Sequence, residues 1–417
     1  MVLPIVFSLL SWWLAFASAT IIENGRAREV VFEKTSIVSI REGGNEWKSY
    51  ANNATEISYK GRWDGNHISW WSAPGLKLGF TGGKIAVSFG AQTSPGVLVA
   101  YRFDTLDWQF TNVTASGTHQ FTSPPVQQQG TETFKLNTGI TTARTFELRV
   151  TNWAYGVQIQ SIHLSPNGTL FKPPSFSRNI EFIGDSLTAG EYATYESVSS
   201  WSWSLCKSLG TECTISAFPG NCLVDTECWG NPRGQSHQWF QTRDTSYRAT
   251  QMKTADEKWD FKAHQAADLV FIHLGTNDYS PHNNVSAARF QESYIEFVKK
   301  IHGVWPSSQV VLVSLANGFW LDAGTGRWHQ AGALVDEIRA VYKTFEKEGW
   351  IHYFNSSGVL AHNDIGPQWH YTDVGHIKLA SALLQFVRMK FGWEIEDVAA
   401  GPEVMSGTTY WNDQAGY

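Results

Sequence analysis

From about residue 28 to residue 165, apolar and polar positions alternate in short runs. Ile85, Val87 and Phe89 alternate with Lys84, Ala86 and Ser88, and Phe146, Leu148 and Val150 with Glu147, Arg149 and Thr151. A period of two predicts strands with one buried face. Residues 97–103, 108–113, 133–136 and 157–164 are further strand candidates, separated by clusters of Gly, Pro, Asn and Ser. Many short strands with no helix-period segment predict an antiparallel β-sandwich, here over residues 20–165. Pro166, Asn167, Gly168, Pro173, Pro174 and Ser175 mark residues 166–178 as a linker.

The pattern then changes. Residues 180–183, 214–217, 269–274, 310–315 and 351–354 are short apolar strands. Between them lie helical stripes. Ser199 or Ser200 can cap a helix running through Ser208, and Ser286 one with Phe290, Tyr294, Phe297, Val298 and Ile301 on one face. Leu334, Ile338, Val341, Tyr342 and Phe345 form a second stripe, and Leu379, Leu383, Phe386 and Val387 a last one. Strand alternating with helix predicts an α/β domain over residues 179–395, a parallel sheet with helices on both faces. Functional groups should gather in the loops after the strand carboxyl ends. Residues 396–417 have no clear period and read as a tail.

Composition narrows the class of partner. Hydrophobic residues are 42% and charged residues 17%, a globular balance, and 32 Lys+Arg against 38 Asp+Glu leaves no basic surface for nucleic acid. The 20 Trp are unusual. Indole is a flat apolar plate with one donor, suited to packing and to covering a sugar ring. Residues 2–19 are almost wholly apolar and end in Ala17-Ser18-Ala19, which reads as a cleaved signal peptide over residues 1–19. A membrane anchor is the alternative, and the small-x-small ending favours cleavage. No later apolar run is long enough to span a bilayer, so a secreted, extracellular protein without a stable membrane anchor is expected. Sequons at Asn53, Asn112, Asn167, Asn284 and Asn355 fit that route. Cys206, Cys213, Cys222 and Cys228 should then form two disulfides. Three connectivities exist; Cys206–Cys213 with Cys222–Cys228 closes the shortest loops. A zinc site is disfavoured because no Cys-x-x-Cys pair occurs.

Candidate chemistry sits at the strand ends. The first ends in Gly184-Asp185-Ser186-Leu187-Thr188-Ala189-Gly190, where a serine hands a strand over to a helix. Thr188 stands where the nucleophile elbow of α/β-hydrolases needs Gly. The second strand runs into Phe218-Pro219-Gly220-Asn221, and the third into Gly275-Thr276-Asn277-Asp278. The N–H groups of Ser186 and Gly220 and the side-chain amide of Asn277 can together form an oxyanion hole. Asp373-Val374-Gly375-His376 opens the last helix. His376 is expected to take the Ser186 proton, with Asp373 orienting the imidazole. His370 competes for the base role, but only His376 has an Asp three residues before it.

These four blocks resemble the SGNH (GDSL-type) hydrolase superfamily, whose Ser, Gly, Asn and His match Ser186, Gly220, Asn277 and His376 across residues 180–390. Gly61-Arg62, Trp71, Gly75 and Phe80-Thr81-Gly82 are similar to the jelly-roll half of carbohydrate esterase family two. The resemblance implies a three-layer SGNH domain preceded by a jelly-roll sandwich, no cofactor and no metal. It also implies removal of acetyl groups from plant cell-wall polysaccharide of the acetylxylan or glucomannan type, by a monomer. The final block departs from that family. His-Pro commonly stands six residues before the catalytic His, whereas Tyr371 follows His370 here. Some members resemble a Ser–His dyad in which a backbone carbonyl takes the third role. Trp229, Trp320 and Trp369 lie on loops after strand ends and are candidates to meet substrate, whereas Trp153 and the Trp70-Trp71 pair read as core or interdomain packing. The alternatives are a general carboxylesterase of lipase type and a glycan-binding protein whose hydrolase site is spent.

Overall fold

A computed structural model describes residues 35–395 except 42, 107, 122–125, 128–132, 135–142, 253–256 and 332, together with two short strands near the amino terminus. Those two, Ile22–Glu23 and Arg26–Ala27, pair with each other within the unit Met1–Glu33. Residues 1–19 and 396–417, read as signal peptide and tail, lie outside the described residues. All else described below belongs to the unit Lys34–Tyr417.

The alternating half folds as a two-sheet β-sandwich. One sheet has the order Thr35–Ile37, Thr118–Phe121, Ile85–Phe89, Ile159–Leu164, Lys48–Ala51. The other is built on the long strand Ser69–Thr81, which pairs with Ser58–Trp63 and with Ala143–Val150. Val87, Phe89, Tyr101, Phe146, Leu148 and Ile162 meet between the sheets, as the period of two requires.

The second half is a three-layer α/β domain. Its parallel strands lie in the order Glu212–Ala217, Asn179–Gly184, Leu269–His273, Gln309–Val313, Ile351–Phe354. Ile180, Phe182 and Phe271 pack on one face with the helices Trp201–Leu209 and Asp373–Phe391. Val270, Ile272 and Leu312 pack on the other with Ala287–Val304 and Val335–Phe345. Ser200, Ser286 and Thr372 cap three of these helices through side-chain oxygens. The chain enters at Asn179–Gly184, which is flanked by the second and third strands. The strand order therefore reverses there, and a crevice opens at the carboxyl ends of the first and third strands.

The two halves share one sheet. Ser69–Thr81 crosses from the sandwich and pairs antiparallel with Glu212–Ala217 at Ser72 and Ile215. The sandwich residue Arg62 is buried against the α/β domain, donating to the carbonyls of Trp239 (2.5 Å) and Gln241 (2.7 Å) and to Glu181 Oε1 (3.2 Å). Glu181 also accepts from Ser216 Oγ and Trp239 Nε1 at 2.7 and 2.8 Å, so the buried carboxylate is well supplied with donors, while Arg62 Nε has no partner. Trp70 and Trp71 are buried at the same junction, and Trp71 donates from its backbone to Asp244 (2.8 Å) and from Nε1 to the Thr242 carbonyl (3.0 Å). The pair is interdomain packing, as its sequence position suggested.

Two expectations need correction. Cys222 and Cys228 are bonded, but Cys206 and Cys213 are both free, buried thiols. Burial pushes the Cys213 thiol up, and the neighbouring Cys206 adds to it. Residue 320 is not on a loop: Asn317–Asp322 and Arg327–Ala331 form a hairpin after the fourth parallel strand, and their side chains lie outside the described residues.

Candidate active site

Ser186 begins the single helical turn Ser186–Ala189 directly after the first parallel strand. The turn is tight. A Cβ at Gly184 would stand 2.1 Å from Thr188 Oγ1, so the residue leading into it has to be glycine. Asp185 caps the turn, its Oδ1 accepting from the Leu187 N–H at 3.0 Å. Its Oδ2 has no partner, and burial raises the carboxyl to about 7.

The second strand delivers Gly220 with φ 78°, a left-handed conformation. A Cβ there would lie 2.7 Å from Asn231 Nδ2 and 3.2 Å from Trp229 Cβ. The third strand delivers Asn277, whose Nδ2 donates to the Asn221 carbonyl at 2.9 Å, which leaves its second amide hydrogen. Next to it, the Asp278 carboxylate accepts from the Leu223 and Val224 N–H groups at 2.7 and 3.0 Å. Those donors follow Cys222, so the Cys222–Cys228 loop is tied to the third strand end by two bonds to one carboxylate. Ser186, Gly220 and Asn277 therefore stand on three adjoining strand ends around the crevice. Among the described residues, the N–H groups of Ser186 and Gly220 take part in no turn, cap or side-chain hydrogen bond.

The two histidines stand in different surroundings. His376 is wholly buried in the last helix, and its Nδ1 accepts from the Trp201 N–H at 3.1 Å. With that lone pair committed, the ring's proton sits on Nε2, which has no partner. Burial holds the group down at about 3 despite Asp373. Nor does Asp373 orient the ring. Its carboxylate accepts from the Thr194 N–H at 2.9 Å and from Thr194 Oγ1. The expected Asp373–His376 pair is not made, because the helix turns the two side chains toward different segments. Asp373→Asn should accordingly lower kcat by less than about tenfold, far from the ~10⁴ loss of a true triad aspartate. Steady-state kinetics on an aryl acetate measures this.

His370 stands at the open side. Its Nδ1 donates to the Gln368 carbonyl at 2.9 Å, and the ring is only 14% exposed. Nε2 lies 3.2 Å from Glu191 Oε2, in ion-pair reach though out of line for a hydrogen bond. Burial opposes protonation, but the Glu191 and Asp185 carboxylates outweigh it and raise this imidazole. Glu191 itself follows the Ser186 turn, donating its N–H to the Ser186 carbonyl at 3.1 Å. Tyr192 meets the ring edge-on at 4.9 Å between centroids. Gln368 and Trp369 have φ values of 49° and 67°, strained positions that set His370 before the last helix starts. The signal for this histidine was in the sequence, six residues before His376.

Of the candidate tryptophans, Trp229 and Trp369 are exposed, at 52% and 63%. Trp229 lies beside Gly220 and stacks on His282 at 4.4 Å, while Trp369 adjoins His370. The exposure of Asn53, Asn112, Asn167, Asn284 and Asn355 leaves each sequon open to solvent. No helix among the described residues is long and apolar enough to cross a membrane.

Residues 182–378 match the GDSL-like Lipase/Acylhydrolase family. The second half of the chain is a GDSL-like lipase/acylhydrolase domain. A curated relative, an acetylxylan esterase / glucomannan deacetylase of Cellvibrio japonicus (strain Ueda107), is 29% identical over 182 residues. That match covers 41% of this chain and spans about half (49%) of the relative's length. The fold of the whole described unit is that of carbohydrate esterase family two. A family-two esterase from Cellvibrio japonicus superposes with a TM-score of 0.65 at 18% identity, over 83% of this chain and 98% of that one. One from Clostridium thermocellum, in complex with cellohexaose, gives 0.63 at 20% identity, over 81% and 99%. The GDSL-like domain thus keeps its amino-terminal sandwich in the same arrangement as these esterases.

Proposed function

We propose that the protein is a secreted serine esterase that removes acetyl groups from a β-linked cell-wall polysaccharide, using Ser186 and His370. The observation that carries this is the Nδ1–H bond from His370 to the Gln368 carbonyl. It fixes the tautomer and leaves the lone pair on Nε2, beside Glu191, whose own N–H is bonded to the Ser186 carbonyl. Ser186 Oγ attacks the ester carbonyl carbon while Nε2 accepts its proton. The N–H groups of Ser186 and Gly220 and the Asn277 amide receive the oxyanion. Nε2–H then protonates the departing sugar oxygen, and water repeats the cycle to release acetate. The Gln368 carbonyl takes the orienting place held by aspartate in a triad, and it supports the imidazolium with a dipole instead of a charge. Glu191 adds the charge from the other side.

Exposed Trp229 and Trp369 flank the crevice and offer flat apolar faces to sugar rings. The likeness to an acetylxylan esterase / glucomannan deacetylase and to an esterase in complex with cellohexaose supports a glycan substrate. The apolar residues 2–19, the Cys222–Cys228 disulfide and the five exposed sequons support secretion. The test is acetate release from acetylated xylan and glucomannan, beside kcat/KM on acetate, butyrate and octanoate esters of one leaving group. Release from a polymer with a steep fall from acetate to octanoate is expected. Preference for octanoate with no release from either polymer would leave a lipase-type esterase.

A further inference from the structure

The chain turns sharply where the second parallel strand delivers Gly220. Residues 218–221 form a β-turn closed by the Asn221 N–H on the Phe218 carbonyl at 3.3 Å, with Pro219 and Gly220 in the two central positions. Pro followed by a residue at positive φ, here Gly220 at 78°, is the type II form. Types I and II differ by a half-turn of the central peptide, the unit that carries the Pro219 carbonyl and the Gly220 N–H. That peptide is trans and planar, so its carbonyl and its N–H point in opposite directions. Whatever holds the Pro219 carbonyl therefore aims the Gly220 N–H.

The holder is Asn231. Its Nδ2 donates to the Pro219 carbonyl at 3.1 Å, and its Oδ1 accepts from Thr245 Oγ1 at 2.7 Å. Both ends of the amide are thus engaged, and the carbonyl, which can only accept, fixes which end is nitrogen. The Asn231 backbone exchanges two hydrogen bonds with Cys228, at 2.9 and 3.0 Å, and Cys228 is bonded to Cys222. Asn231 is buried, and a Cβ at Gly220 would stand 2.7 Å from its Nδ2, so the amide lies against the glycine.

We propose that Asn231 is a positioning residue for the reaction, which holds the Pro219–Gly220 peptide in the type II form and so aims the Gly220 N–H at the oxyanion. It acts through that peptide and not on the substrate. A flip of the peptide would replace the donor with a carbonyl oxygen, which repels the negative charge developing in the transition state. The inference rests on the esterase reading above and adds a residue to its machinery.

Asn231→Leu keeps the size of the side chain and removes the donor. It should lower kcat on an aryl acetate by roughly 10–10²-fold, with KM within about twofold of the wild type. Phenylboronic acid supplies a readout that packing alone would not move. Ser186 Oγ adds to its boron, and a hydroxyl of the resulting tetrahedral anion takes the place of the oxyanion. Its inhibition constant should therefore rise by about the factor by which kcat falls. Thr245→Val frees Asn231 Oδ1 and leaves the Pro219 bond, so it should show the same pattern at roughly three- to fivefold. Circular dichroism establishes that each variant is folded. Wild-type kcat in folded Asn231→Leu protein, or in Thr245→Val should the first variant fail to fold, would overturn the inference. So would a fall in kcat with phenylboronic acid bound as tightly as by the wild type, which marks general loosening. A wild-type protein that neither hydrolyses an aryl acetate nor binds phenylboronic acid would overturn the esterase reading itself, and the inference with it.

Discussion

His370→Ala should lower kcat by at least ~10³-fold with the fold intact, and Ser186→Ala should do the same. Both remove groups that only the reaction uses, and the pair acts as a unit, so the double variant should lose little more than either single one. His376→Asn is the informative contrast. His376 accepts the Trp201 N–H inside the core, so its loss should appear as a stability deficit of about 1–3 kcal/mol and a lowered Tm. Its kcat should stay within about tenfold of the wild type. Circular dichroism melts and steady-state kinetics on the three variants decide the matter. Wild-type turnover in His370→Ala would return the base role to His376. The pH profile gives a second readout. Only neutral His370 accepts a proton, so kcat/KM should rise with pH through the value set by this imidazole. The Glu191 and Asp185 carboxylates raise that value, so the acid limb should be shifted upward from that of an ordinary histidine. Glu191→Gln should move the limb downward, since the imidazolium then loses the carboxylate 3.2 Å from Nε2.

Asn277→Ala should lower kcat by roughly 10²–10³-fold, about 2.7–4 kcal/mol, with a smaller change in KM. The amide meets charge that exists only once Ser186 Oγ has added to the carbonyl. The backbone frame should survive, because Asp278 and not Asn277 holds the Leu223 and Val224 N–H groups. Loss of the Asn277 bond leaves the carbonyl of buried Asn221 without that donor, which should cost about 1–3 kcal/mol of stability. A variant altered in KM alone would make Asn277 a substrate-binding residue instead of an oxyanion donor.

Much of this architecture was legible in the order of residues. Alternation at Ile85, Val87 and Phe89 places a half-buried strand because successive side chains leave opposite faces. Stripes such as Phe290, Tyr294, Phe297 and Ile301 place a helix with one apolar side, and Ser286 before it supplies the cap. Strand and helix in alternation force a parallel sheet, so the residues after Gly184, Ala217 and His273 arrive at one edge whatever the details of packing. Ser186, Gly220 and Asn277 could therefore be placed at that edge without coordinates. The strand Ser69–Thr81 was not, because nearly every one of its residues is buried and no alternation survives where a strand is covered on both faces.

The proposed base was also beyond local pattern. Asp373 and His376 have the i,i+3 spacing of neighbours on a helix face, which made them look like a pair. Tertiary packing separates them: Trp201 brings its N–H to His376 Nδ1, and Thr194 takes the Asp373 carboxylate. His370 carries no sequence partner at all, since its acceptor is a main-chain carbonyl that exists only because Gln368 and Trp369 adopt left-handed backbone. Spacing along one element says which side chains can share a face. Which of them meets the serine depends on segments distant in sequence, whose N–H and carbonyl groups are common to every residue and leave no mark in the order of side chains.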